Sequence, residues 1–293
     1  MTSAIRSRLF LIQLLFLVQI SFGQNITVQF ERSVEAGFYY PTDICGNERG
    51  DVFVLDGMND RVVEINAAGQ VRSIRPNRGT IYKAVGIACI DNKIWIADTP
   101  RSRILELGKN GRINQVIPLE AWTEPVDLVG INNQIAVSDR ANHRIILVDS
   151  NGKISKTWGN RGNGLGEFIN PGLLAAGPEN RLIIPDILNR RVLSYSPSGR
   201  FPQMIAKPGA QRGQIIRPKG VAMNTKQQVW ISDSFTGVLQ LFSLSGKYLG
   251  IAAVDGKELR LKAPMGIWLD KNNRIWVVES SNDRVSVYRL RDE

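Results

Sequence analysis

One recurring pattern restricts this chain more than any other feature: an apolar strand ending in Asp or Glu, a short polar turn, then Arg opening a second apolar strand. It reads Val52-Phe-Val-Leu-Asp56 with Arg61-Val-Val, then Ile94-Trp-Ile-Ala-Asp98 with Arg103-Ile-Leu. It continues as Ile135-Ala-Val-Ser-Asp139 with Arg144-Ile-Ile, and Leu182-Ile-Ile-Pro-Asp186 with Arg191-Val-Leu. The last two copies are Val229-Trp-Ile-Ser-Asp233 with Val238-Leu-Gln, and Ile275-Trp-Val-Val-Glu279 with Arg284-Val-Ser. The acidic positions are spaced by 42, 41, 47, 47 and 46 residues, and Arg follows by five in every copy but the fifth.

Each copy carries further strands on both sides. Before it stands a Pro-x-x-apolar segment: Pro41-Thr-Asp-Ile, Pro125-Val-Asp-Leu, Pro171-Gly-Leu-Leu, Pro218-Lys-Gly-Val and Pro264-Met-Gly-Ile, with Ala84-Val-Gly-Ile in the second copy. After it comes a glycine turn such as Asn110-Gly111, Asn151-Gly152 or Ser245-Gly246, then a short strand. Such dipeptides between apolar runs signal tight hairpins, because glycine takes positive φ freely. Each unit is therefore expected to be four short antiparallel strands, and no segment has a helical period. Units of this kind cannot bury both faces alone, and stacked radially they form a β-propeller. The expected fold is all-β, a six-bladed propeller of four-stranded antiparallel blades. The final copy lacks an outer strand after residues 285–290. The alternating segment 26–30 is expected to supply it and to close the ring, removing an exposed edge.

The Pro-x-Gly-Ile start, the strand ending in Asp, the Asp-x4-Arg turn and the following Asn-Gly resemble NHL repeats over about residues 40–290. The resemblance implies the propeller. It does not choose a function, because similar repeats serve RNA-binding regulators, sensor kinases, a zinc-dependent peptide-amidating lyase and exported bacterial proteins. That zinc lyase needs several histidines, and this chain has one, His143.

The repeated Asp–Arg pairs read as turn braces, because a ligand site usually breaks symmetry; Val238, where the Arg is lost, is such a break. Trp95, Trp230 and Trp276, with Phe53 at the same repeat position, read as packing between blades. Trp122 and Trp158 lie outside the consensus and are candidate ligand contacts. His143 falls at the turn position before Arg144 and reads as an exposed turn residue. Cys45 and Cys89 fall on inner strands of adjacent units. The wide separation of non-bonded strands favours two buried thiols, while an exported chain permits a bridge.

Asp43 and Asp127 share one repeat position, where the other copies have Gly86, Leu173, Gly220 and Gly266. Two carboxylates across a channel are weak candidates for a calcium site, since calcium favours six to eight oxygens. No other cofactor is indicated. Residues just before the inner strands would line the channel mouth: Tyr40, Lys83, Glu124, Asn170 and Arg217, with Ala263 as the sixth. The loops entering the inner strands are basic, carrying Arg75, Arg78 and Lys83 in one and Lys207, Arg212, Arg217 and Lys219 in another. The Gly- and Asn-rich insert 159–168 is expected to form a mobile rim.

Residues 1–23 have the order of a secretory signal peptide: Arg6 and Arg8, an apolar run over 9–20, then Ser21-Phe22-Gly23. The run is too short and too rich in amides to span a bilayer. Residues 24–293 would form the exported propeller, periplasmic or extracellular. Without Arg6 and Arg8 there are 35 basic against 27 acidic side chains, a net charge of +8. In an exported chain such a charge points away from nucleic acid and toward a protein, an anionic envelope polymer or a membrane surface. Asn25-Ile-Thr27 matches a glycosylation acceptor, on little weight. Two function classes are open. The first is a non-catalytic binding or scaffold module using the basic loop face around Tyr40, Lys83, Glu124, Asn170 and Arg217. The alternative is a propeller-type lyase or lactonase with a metal or carboxylate site at the channel mouth.

Overall fold

A computed structural model describes residues 24–291 except 78, 150 and 201. The segment expected to be a signal peptide and Arg78 lie outside the described residues. The chain opens with β1 (Gln24–Val34). The first meander follows: β2 (Asp43–Gly46), β3 (Val52–Asp56), β4 (Arg61–Ile65) and β5 (Val71–Ile74). Next come β6 (Gly86–Ile90), β7 (Lys93–Asp98), β8 (Arg103–Leu107) and β9 (Ile113–Pro118). A third meander is β10 (Pro125–Ile131), β11 (Gln134–Asp139), β12 (Arg144–Val148) and β13 (Ile154–Trp158).

Beyond two short parallel segments, β14 (Asn160–Arg161) and β15 (Glu167–Phe168), lie β16 (Ala175–Ala176), β17 (Leu182–Asp186), β18 (Arg191–Tyr195) and β19 (Gln203–Pro208), extended by β20 (Gln214–Ile215). Then follow β21 (Pro218–Met223), β22 (Gln228–Asp233), β23 (Val238–Ser243) and β24 (Tyr248–Val254), with β25 (Lys257–Glu258) beside β24. The last strands are β26 (Pro264–Leu269), β27 (Arg274–Glu279) and β28 (Arg284–Leu290).

The result is an all-β propeller. The inner strands lie against one another in a closed cycle, β2 to β6, β10, β16, β21, β26 and back to β2. The core is divided between the sheets. Phe53 and Leu55 pack on Ile87 and Ile96, Trp95 on Leu128 and Val137, and Trp230 on Ile267 and Val277. Trp95, Trp230 and Trp276 are all buried, as the repeat position implied.

Ring closure differs from expectation in extent. The closing strand is not 26–30 alone. Val28–Val34 pairs antiparallel with β28, while Gln24–Thr27 runs parallel to β24, so β1 fuses two meanders into one nine-stranded sheet. A strand longer than one sheet edge continues onto the next, because its remaining N–H and C=O groups need partners too.

The Asp–Arg pairs are braces. Arg61 Nε meets Asp56 Oδ2 at 2.7 Å, and Arg103, Arg144 and Arg191 repeat the contact at 2.7–2.9 Å. The residue before each Arg takes left-handed φ: Asp60, Ser102, His143, Arg190 and Asp283, with Gly237 in the copy that lacks Arg. His143 is therefore placed by turn geometry, although it is half-buried rather than exposed.

Two further expectations are corrected. Cys45 and Cys89 form a disulfide with their Cα atoms 5.7 Å apart; inner strands of neighbouring units converge toward the axis and fall inside bridging range. The insert 159–168 is not a free rim. The Arg191 guanidinium donates to the carbonyls of Asn163, Gly164 and Glu167, and Asn189 Nδ2 donates to Gly162 O.

Candidate functional site

In five of the six units the acid that ends the second strand also accepts from a backbone N–H of the loop entering its own unit. Asp56 accepts from Tyr39 N at 2.9 Å, Asp139 from Glu124 N at 3.1 Å, Asp186 from Ile169 N at 2.7 Å and Asp233 from Arg217 N at 3.2 Å. A structural carboxylate thus fixes the backbone that leads to Tyr40, Glu124, Asn170 and Arg217. Tyr40 and Asn170 complete the approach with left-handed φ.

Two layers of the channel follow from the Pro-x-x segments. The residue after Ala84, Pro125, Pro171, Pro218 and Pro264 faces an upper chamber of about 240 Å³, bordered by Val85, Val126, Gly172, Lys219 and Met265 and further by Arg140, Asn170, Leu173, Leu188 and Arg217. One residue later in each repeat lies the layer of Asp43, Gly86, Asp127, Leu173, Gly220 and Gly266. It tops a lower cavity of about 230 Å³ that extends past Met223 to Trp268 and Leu269. Leu173 borders both spaces.

Asp43 and Asp127 meet in that second layer. They are 5% and 3% exposed, and each alters the ionisation of the other. Asp43 Oδ2 accepts from Ile87 N at 2.9 Å, and Asp127 Oδ2 accepts from Leu174 N at 2.5 Å, so each is fixed by the next unit's inner strand. The intervening Gly86 makes the meeting possible. A Cβ there would lie 2.7 Å from Asp127 Oδ1 and 2.4 Å from Val126 O. Likewise a Cβ on Gly266 would sit 2.3 Å from Asp43 Oδ1.

Burial pushes the Asp43 carboxyl up to about 7, against the pull of the Ile87 and Ile44 N–H groups. Burial, then the charge of Asp43, holds Asp127 well above the usual carboxylate range. Asp127 Oδ1 has no N–H or O–H donor among the described residues. Two close acids in a low dielectric resist ionising together, so one keeps its proton after the other has lost it. An acid and a base are thereby held side by side.

The same layer does not fit a cation. Its other positions are Gly86, Leu173, Gly220 and Gly266, without side-chain oxygens, and one oxygen of each carboxylate is committed to a backbone N–H. Among the described residues no three His, Cys, Asp or Glu side chains gather as a ligand set.

The remaining sequence candidates are dispersed. Asn170 and Arg217 line the upper chamber, and Glu124 reaches it through an ion pair with Arg140 at 2.8 Å. Tyr40 and Lys83 stand outside that lining; the Lys83 ammonium lies over the Tyr82 ring at 5.1 Å. Arg212 pairs with Glu258. Trp122 is exposed on its loop, whereas Trp158 is half-buried against Phe168 and Tyr195 and is part of the core edge. His143 Nδ1 accepts from Asn170 N at 3.3 Å. Sequence reasoning did not single out Arg140 or Lys219 as site residues. The signal for Lys219 was available, because it is the one charged residue at its repeat position.

No protein-family model matches the chain, and no curated protein matches it either. Solved structures share its fold. A streptogramin B lyase is 14% identical, with 89% of this chain and 97% of that chain covered and a TM-score of 0.66. A virginiamycin B lyase from Staphylococcus aureus is 16% identical over 90% of each chain, with a TM-score of 0.63. A gluconolactonase from Xanthomonas campestris is 13% identical, with 92% and 96% covered and a TM-score of 0.68.

Proposed function

We propose that this chain is an exported, six-bladed, NHL-type propeller that hydrolyses small cyclic esters in its channel. The observation that carries the reading is the burial of two neighbouring carboxyls, Asp43 and Asp127, in one layer of the channel. A binding module has no need to hold two acids together in a low dielectric, so chemistry comes ahead of the scaffold role. The similarity in fold to a gluconolactonase supports this reaction class. The closed cycle of inner strands supports the blade count. The Cys45–Cys89 bridge supports an oxidising compartment and hence export.

In the proposed reaction the Asp43 carboxylate takes a proton from water as the water oxygen attacks the ester carbon. Asp127 gives its proton to the carbonyl oxygen, and a neutral tetrahedral diol forms. The ring C–O bond then breaks. The leaving oxygen takes the proton from Asp43, and a diol hydroxyl returns one to Asp127. One water is consumed, a hydroxy acid leaves, and the pair regains its starting protonation. The similar lyases favour a second reading, in which the Asp43 carboxylate removes a carbon-bound proton and the ring opens by elimination.

The test is a panel of five- and six-membered lactones followed by acid release. Asp43→Asn and Asp127→Asn are each expected to lower the rate by about 10²–10⁴. The wild-type rate should rise as Asp43 ionises near 7 and fall once Asp127 loses its proton at higher pH. Wild-type rates in both variants would overturn the proposal. A product that carries a new double bond and no added water would select the elimination.

A further inference from the structure

The upper chamber is electrically lopsided. Arg140, Arg217 and Lys219 all border it, against one nearby carboxylate, Glu124, which Arg140 occupies. Lys219 is half-buried, and its ammonium has no carboxylate or hydrogen-bond partner among the described residues. Arg217 has no carboxylate within ion-pair range either; its guanidinium lies 5.7 Å over the Phe235 ring. Burial first, then the charges of Arg217 and Arg140, push the Lys219 ammonium below its usual range. Three cations around a small space repel one another, and the strain is relieved when an anion sits among them. Val85, Val126 and Met265 add apolar surface to its lining.

We propose that this chamber is a binding site for a small organic anion, one carboxylate or phosphate group carried on a short apolar body. The anionic group would sit between Lys219, Arg217 and Arg140, with Asn170 at its edge. Guanidinium groups suit this task, since their paired N–H donors match the oxygens of carboxylate and phosphate. The apolar body would rest on Val85 and Val126. At about 240 Å³ the chamber falls below the range of about 300–1,000 Å³ typical of drug-sized ligands, which excludes a polymer segment of any bulk. Leu173 borders both this chamber and the layer that holds Asp43 and Asp127. The site therefore names the substrate class as esters bearing a separate anionic group. That last step rests on the reading above, whereas the binding site does not.

The experiment is calorimetric titration with benzoate, phenyl phosphate and neutral benzamide at low ionic strength. Wild-type protein is expected to bind at least one of the two anions at least about tenfold more tightly than benzamide, and added salt should weaken that binding. Whichever anion binds more tightly tells a carboxylate site from a phosphate site. Lys219→Met should lose that preference while its melting temperature stays equal or rises, because an unpartnered charge has been removed. Arg217→Met should lose it as well. Equal binding of anion and amide, no anion binding at millimolar concentrations, or an unchanged preference in both variants would overturn the proposal. Asp43→Asn separates the two claims: it should keep the anion preference even as it abolishes lactone hydrolysis. If it keeps both, the acid–base reading fails and the anion site stands.

Discussion

Replacing Asp43 and Asp127 together by Asn should change how stability depends on pH, and the size of the change follows from the geometry. Asp43 ionises near 3.8 in an unfolded chain and only at about 7 when folded. Between those values the folded state holds a proton that the unfolded state has lost. Stability is therefore highest in acid and falls as pH rises through the folded value. At about 1.4 kcal/mol per pH unit, Asp43 alone removes about 2.5 kcal/mol between about pH 5 and pH 8. Asp127, also raised, shifts stability in the same direction. Both groups are nearly inaccessible, so solvent does little to blunt the effect. Asp51, Glu64, Glu106 and Asp270 are held below their ordinary values, so their opposite effect appears at lower pH, outside this window. The Asn side chains keep carbonyl acceptors for Ile87 N–H and Leu174 N–H and remove both titrations. Urea unfolding at about pH 5, 6.5 and 8, followed by tryptophan fluorescence, gives the comparison. The wild type should lose at least about 2.5 kcal/mol relative to the variant across this range. Parallel pH profiles for the two proteins would refute the claim that a buried pair of raised carboxyls exists.

Reducing the Cys45–Cys89 bridge releases a loop spanning a sequence separation of 44. It should cost up to about 4 kcal/mol, read as a fall of roughly 7 °C in melting temperature with and without reductant. Arg191→Met leaves the fully buried Asp186 without its guanidinium and frees the carbonyls of the insert. A loss of about 3 kcal/mol is expected, with faster amide exchange confined largely to residues 159–168. Gly86→Ala places a methyl group against Val126 O and Asp127 Oδ1. A cost of about 1–3 kcal/mol should appear together with a shift in the pH profile of unfolding.

The strands were legible because each unit repeats one grammar of apolar run, acid, turn and Arg. The braces were legible for the same reason, since a contact needed in every unit leaves a residue in every unit. What escaped depended on how the units approach the axis. The Cys45–Cys89 bridge turns on the distance between strands that are not hydrogen-bonded, and a linear spacing does not contain that distance. Asp43 and Asp127 stood out at one repeat position, but their meeting required Gly86 between them, a close approach visible only in three dimensions. Lys219 was passed over because its loop is basic throughout. What distinguishes it from Arg212 is the lack of an acid beside it, and partnership is a tertiary property.

The position of β1 bears on how the molecule is made. Its partner β28 lies some 250 residues later in the chain, so β1 is synthesised first and paired last. Its parallel neighbour β24 emerges only shortly before. Throughout synthesis the leading strand keeps a bare edge, the kind of surface that captures other chains. Polar and charged residues in Gln24–Val34, among them Gln29, Glu31 and Arg32, blunt that edge during the wait. The ring is a latch closed by the strand that leads all the others, and a chain truncated before Arg284 would be left with its clasp still open.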